Sequence, residues 1–181
     1  MRTRPRARLS VDERRTQLLD LGRRLFNARP YDAISIDEIA HAAGISKGLL
    51  YHYFPSKRHF YVAVVRMGAD LVQKLTAVRP DLAPAAQLRA STDSLPSYVE
   101  KNAAAYGHLL RSGGGTDPEA SASVEGTRRA MVDQVMQSLG IPDGRPLVRL
   151  VFRGWVGFSE GVTLEWADRR DVPRRDVLRL I

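Results

Sequence analysis

Cysteine is absent from the 181 residues. Its absence removes disulfide cross-links, thiolate nucleophiles and cysteine metal ligands, and it fits a reducing cytoplasm. Long apolar runs are absent too: no stretch approaches the roughly 18 uninterrupted apolar residues that a membrane span requires. The basic first residues lead into charged positions and not into an apolar stretch, so no secretory leader is read and the expected location is cytoplasmic. No convincing strand alternation occurs, and there is no internal repeat. The four histidines, His41, His52, His59 and His108, fall in no metal-binding spacing with carboxylates, so neither a metal nor a cofactor is expected.

What the chain holds in excess is positive charge. Lys and Arg number 28 against 20 Asp and Glu, a formal net charge of +8. The excess is uneven: residues 1–60 carry 12 basic against 6 acidic side chains, and residues 61–181 carry 16 against 14. A polyanion partner for the first third is the natural reading, with a merely solvated basic surface as its rival. With 44% hydrophobic residues the rest has the composition of an ordinary globular domain.

Arginine alternates with small residues and Pro5 over the first eight positions, the composition of a basic arm at 1–10. Leu18, Leu21, Gly22, Leu25 and Phe26 recur at helical spacing and predict a helix from about Val11 to Ala28. Ser35-Ile36-Asp37-Glu38 is a capping box, in which the serine hydroxyl accepts from the N–H three residues on and the glutamate reaches back. The helix it opens ends at Ala43-Gly44, where glycine takes the left-handed conformation of a tight turn. Ser46 caps a second short helix through Tyr53. Pro55-Ser56 then interrupts the chain before a long helix over 57–78, with Phe60, Val64, Met67, Leu71 and Leu75 along one side. Further helices are expected at about 83–91, 95–112, 118–139 and 144–169, with a last one from Pro173 to Ile181. Gly113-Gly114-Gly115 separates the second of these from the third, and Asp117-Pro118 is a cap and first-turn pair.

Segment 35–57, SIDEIAHAAGISKGLLYHYFPSK, is the most specific feature. Two short helices joined by a glycine turn have the geometry that lays a second helix in a DNA major groove. Ala40, Ala43 and Gly44 let the helices approach, and Ile36, Ile39, Ile45 and Leu50 form a shared core. Lys47, Gly48, Tyr51 and His52 are left on the outer side of the second helix: a cation and hydroxyl for phosphates, an aromatic ring for thymine methyls, a bare glycine for close approach.

The runs Asp37-Glu38-Ile39-Ala40 and Ala43-Gly44-Ile45-Ser46-Lys47-Gly48-Leu49-Leu50-Tyr51-His52-Tyr53-Phe54-Pro55-Ser56-Lys57 resemble the DNA-binding domain of TetR-type regulators over roughly residues 11–67. This chain has Tyr53 before the phenylalanine, where the family pattern often has histidine. The resemblance implies an all-α fold: an N-terminal three-helix DNA-binding domain with a helix-turn-helix at 11–67, then a helical-bundle domain for ligand binding and dimerisation at 68–181. It implies that Lys47 and Gly48 lie near base edges, that Tyr51 and His52 or Tyr53 meet backbone or a thymine methyl, and that Lys57 clamps a phosphate. Ser35 and Ser46 would present helix N-termini to phosphates. Arg2, Arg4, Arg6 and Arg8 either reach an adjacent minor groove or form a solubilising tail. Tyr53 is open between core and contact.

It further implies a homodimer on a near-palindromic operator in double-stranded DNA, a repressor released by a small-molecule effector. A regulator with no effector, its second domain serving only to dimerise, is the alternative. Gly157-Phe158-Ser159-Glu160-Gly161 matches the nucleophile elbow of hydrolases, but it lies inside a helical pattern with no preceding strand, so no enzyme is expected. The helix around it is apolar on more than one face and is expected to be buried on more than one side. Val151, Gly154, Trp155, Gly157, Phe158 and Gly161 form its expected dimer interface. Tyr98, Tyr106, His108, Arg111, Trp155, Phe158 and Glu160 are the candidate pocket residues. The last helix, with about two turns, is short for the second arm of such a dimer bundle. Either the chain is cut short or the dimer leans on the 144–169 helix.

Overall fold

Ser10, which the apolar periodicity does not single out, fixes the start of the first helix. Its hydroxyl accepts from the Glu13 N–H at 3.2 Å, and the Glu13 carboxylate accepts from the Ser10 N–H at 2.8 Å. The computed structural model describes residues 10–77, 82–83, 86, 89, 93–94, 96–100, 102, 117–142 and 144–181. They fall into two compact units, one ending at Val64 and the other beginning at Val65. All the regular elements among the described residues are helical, and none is long and apolar enough to cross a membrane.

In the first unit α1 (Val11–Ala28) leads through a single 3-10 turn at Tyr31–Ala33 into α2 (Ile36–Ala43) and α3 (Lys47–Tyr53). Then α4 (Lys57–Leu75) begins, and the boundary between the units falls inside it. Leu18, Ile34, Ile39, Leu50 and Phe60 are almost wholly buried, an apolar centre drawn from the four helices and from the residue that follows the 3-10 turn. Phe60 anchors it, with Phe54 edge-on at 4.9 Å and Phe26 at 6.0 Å between ring centroids. Aromatic pairs in such geometry add to what their buried area contributes.

In the second unit Val72, Val99, Met131, Val132, Met136 and Val156 form one buried cluster. It joins the end of α4 and the helical segment at 96–100 to α5 (Pro118–Ser138) and α6 (Pro146–Arg169). Asp117 caps α5 as expected, accepting from the Glu119 and Ala120 N–H groups. Helix α6 begins at Pro146 and not at 144, because Gly144 holds a φ of +87°. The chain closes with α7 (Arg174–Leu180), and both indoles tie this end down. Trp155 Nε1 donates to the Ile181 carbonyl and Trp166 Nε1 to the Val172 carbonyl, each at 2.8 Å.

One expectation is corrected. Along α4, Leu71 and Leu75 are exposed, while Phe60, Val62, Val64, Val65 and Val72 are buried, as is Thr76 just past its end. The helix packs one stripe in the first unit and another in the second, so a single stripe does not run its length. Helix α6 turns Val156, Ser159, Glu160, Thr163 and Trp166 inward and leaves Leu147, Leu150, Val151 and Phe158 exposed. The expected helices at 83–91 and 95–112 fall largely outside the described residues, as do the arm at 1–9 and the triple glycine.

Candidate nucleic-acid interface

The turn between α2 and α3 is built from the outside in. Ser35 Oγ accepts from the Glu38 N–H at 3.1 Å and Glu38 accepts from the Ser35 N–H at 2.8 Å. Glu38 also takes Arg29 at 2.7 Å. With the Ser35 backbone N–H as the larger cause and the Arg29 guanidinium second, its carboxyl is held down from 4.5 to about 2. At the other end Gly44 sits at φ +64°, and its N–H reaches the Ala40 and His41 carbonyls. The Ile45 N–H donates to Ala40 at 3.1 Å. This left-handed closure aims the chain back into α3, where Ser46 Oγ accepts from the Leu49 N–H at 3.2 Å.

Ile39 and Leu50 are fully buried between the helices, Ala40 nearly so, and Ile36 and Ile45 are half-buried. With Leu50 and Phe54 anchored inward, Lys47, Gly48, Leu49, Tyr51 and His52 remain exposed on α3. Leu49 was missed by the sequence reading. The signal lay in the spacing: Leu50 and Phe54 are four apart and define the inner face, which leaves position 49 turned outward. Tyr53, open between core and contact, is half-buried with the His52 ring edge-on at 5.5 Å.

Asp37 and Tyr31 were also missed, because each meets its partner across a turn and not along one helix. Lys47 Nζ lies 2.9 Å from both Asp37 carboxylate oxygens, and the hydrogen bond to Asp37 raises the Lys47 pKa above its ordinary value. Lys57 Nζ stands 4.1 Å above the centroid of the Tyr31 ring, a cation–π contact. Tyr31 in turn lies 4.8 Å from the Tyr61 ring.

Nothing among the described residues requires Gly48 to lack a side chain. Among the described residues a Cβ there would meet only Ser46 Oγ, at 4.0 Å. Glycine inside a helix costs about 1 kcal/mol relative to alanine. Its presence on the bare outer face leaves room for another molecule's surface.

In the second unit the candidate residues separate. Tyr106, His108 and Arg111 lie outside the described residues. Tyr98 and Trp155 are half-buried against the core cluster. Glu160 is buried and takes Arg128 Nε at 2.9 and 3.2 Å, whereas Phe158 is on the exposed side of α6. The structure therefore does not gather Phe158 and Glu160 into one place. Phe158 belongs with Leu147, Leu150, Val151, Gly154 and Gly161, a stripe at helical spacing. Gly157 is exposed beside it. At Gly154 and Gly161 a Cβ would meet nothing among the described residues within 4 Å. Ser159 is buried within α6, and its hydroxyl donates to the Trp155 carbonyl at 2.9 Å, unlike the serine of a strand-to-helix elbow.

Comparison with known proteins covers both units. Residues 18–64 match the family of bacterial regulatory proteins called the tetR family, and residues 84–181 match a tetracyclin repressor-like C-terminal domain. The HTH-type transcriptional activator FasR of Mycolicibacterium smegmatis is 32% identical over 163 residues, covering 88% of this chain and 74% of its own. The HTH-type transcriptional regulator RutR of Escherichia coli K12 is 33% identical over 81 residues, 44% of this chain and 38% of its own. Among solved structures, a tetR-family transcriptional regulator from Streptomyces coelicolor is 31% identical with a TM-score of 0.86. That match covers 95% of this chain and 78% of the other.

Proposed function

The chain belongs to the TetR family of bacterial transcriptional regulators, and from that premise we propose that it is a dimeric, sequence-specific repressor released from its operator by a small molecule. One observation carries the DNA-reading half. The outer face of α3 bears Lys47, Gly48, Leu49, Tyr51 and His52, all exposed, while Leu50 and Phe54 lock the helix from beneath. That is a rigid, bare helix of the size a major groove admits. Lys57 sits at the start of α4 and serves a phosphate. Ser46 opens α3 toward the backbone, whereas the Ser35 end carries Asp37 and Glu38 in its first turn and is the less hospitable to an anion.

The exposed stripe of α6 is the proposed surface for a second copy. Its large apolar side chains Leu147, Leu150, Val151 and Phe158 are exposed, and Gly154 and Gly161 let another helix come close. Two reading helices joined this way would meet half-sites about 34–36 Å apart. The effector site is proposed in the second unit, from Tyr98, Tyr106, His108, Arg111, Trp155 and Glu160. A ligand acts by preferring one of two dimer geometries, and α4, which belongs to both units, is the element through which it reaches α3. The proposed setting is the cytoplasm.

A second reading has a specific observation behind it: the relative matched over 88% of this chain bears the name of a transcriptional activator. Both readings share the interface and differ in where the operator lies. Genome-wide capture of the DNA bound by the chain tests both. A near-palindromic site overlapping a promoter supports repression, and a site upstream of one supports activation. Recovery of DNA with no shared sequence would overturn sequence-specific recognition. An effector screen on the captured operator then separates a ligand-released regulator from one without an effector.

A further inference from the structure

Lys47 and Lys57 are held by partners of different charge. The ring under Lys57 is uncharged, so that ammonium keeps its full charge for a phosphate. The carboxylate against Lys47 cancels its charge, with both oxygens at 2.9 Å. Neither member is buried, the two side chains being 47% and 69% exposed, so this pair adds little to the fold. It nevertheless stands on the reading face.

We propose that Asp37 is a specificity-determining residue, which neutralises Lys47 toward generic DNA backbone and holds it for a base edge. This rests on the reading that α3 enters the groove. If Lys47 leaves Asp37 for a phosphate, one anion replaces another and little is gained. The abandoned carboxylate then stands beside a polyanion, and the cation it recruits offsets the counterion that the phosphate released. A base edge changes the balance. An ammonium has three donors, so one can stay on Asp37 while another reaches an acceptor such as guanine O6 or N7 in the major groove. The lysine then contributes its contact at the operator and almost nothing elsewhere.

The test compares the full chain with its Asp37→Asn, Lys47→Gln and doubly substituted forms. Each binds the captured operator duplex and a scrambled duplex across a range of salt. Asp37→Asn is expected to raise affinity for the scrambled duplex about fivefold, the scale of one exposed pair plus one removed repulsion. It should also steepen the dependence of log K on log salt by about one. Operator affinity should change less, so the ratio of the two falls, and Asp37→Glu should restore it. In the Lys47→Gln background Asp37→Asn removes only a repulsion, so it should raise affinity for both duplexes alike and leave their ratio unchanged. An inert Asp37→Asn, or the same fall in the ratio without Lys47, overturns the role given to Asp37. A Lys47→Gln form that binds both duplexes like the parent overturns the placement of α3 itself.

Discussion

A Cβ atom at Gly22 would stand 2.6 Å from Cζ of Phe60 and 2.6 Å from Cγ2 of Val64, so α1 and α4 meet with no room for a methyl group between them. Phe60 is also the ring against which Phe26 and Phe54 pack, so it has no empty side to move into. Gly22→Ala is expected to destabilise the first unit by about 1–3 kcal/mol, the usual cost of overpacking. A lowered urea midpoint at unchanged slope checks this. Operator affinity, corrected for the folded fraction, should stay as in the parent chain.

The α2 cap has a pH signature. The Glu38 carboxyl is held at about 2, below its ordinary 4.5, so the folded state binds this proton less readily than the unfolded chain. Its contribution to stability is therefore fully present above about 4.5 and is lost as pH falls through about 2. The side-chain carbon of Glu38, followed by NMR, should titrate near the lower value. The stability difference between the parent and Glu38→Gln should shrink across that window and stay constant above it.

On α6, a methyl group at Gly154 meets no described atom within 4 Å and alanine favours a helix over glycine by up to about 1 kcal/mol. Gly154→Ala should leave the isolated chain as stable or slightly more so, and should weaken self-association by bringing a Cβ into the proposed helix-to-helix contact. Sedimentation equilibrium checks the second effect and thermal unfolding at low concentration the first. A dimer constant unchanged or tightened by the substitution would move the interface away from this stripe.

The parts of the fold that were legible are those decided within a few residues. The Ser35–Glu38 box, the left-handed Gly44, the Ser46 cap and the Asp117-Pro118 start each depend on neighbours three or four positions away. Leu50 marked the inner face of α3. What was not legible depended on partners distant in sequence. Periodicity along α4 suggested one stripe from Phe60 to Leu75, but the helix serves two units and changes stripe between Val64 and Val65. The Asp37–Lys47 and Tyr31–Lys57 contacts cross turns whose exit angles no local pattern specifies.

Tyr51 tests the central claim most directly. Its ring is 40% exposed on α3, and it lies outside the packing that Leu50 and Phe54 provide, so Tyr51→Ala should preserve helicity, thermal midpoint and dimer content. In a shift assay on the captured operator at fixed salt, the account predicts that affinity falls by about tenfold or more, the scale of one lost base or backbone contact of 1–3 kcal/mol. Unchanged operator affinity in a folded, dimeric Tyr51→Ala chain would contradict the assignment of α3 as the helix that reads DNA.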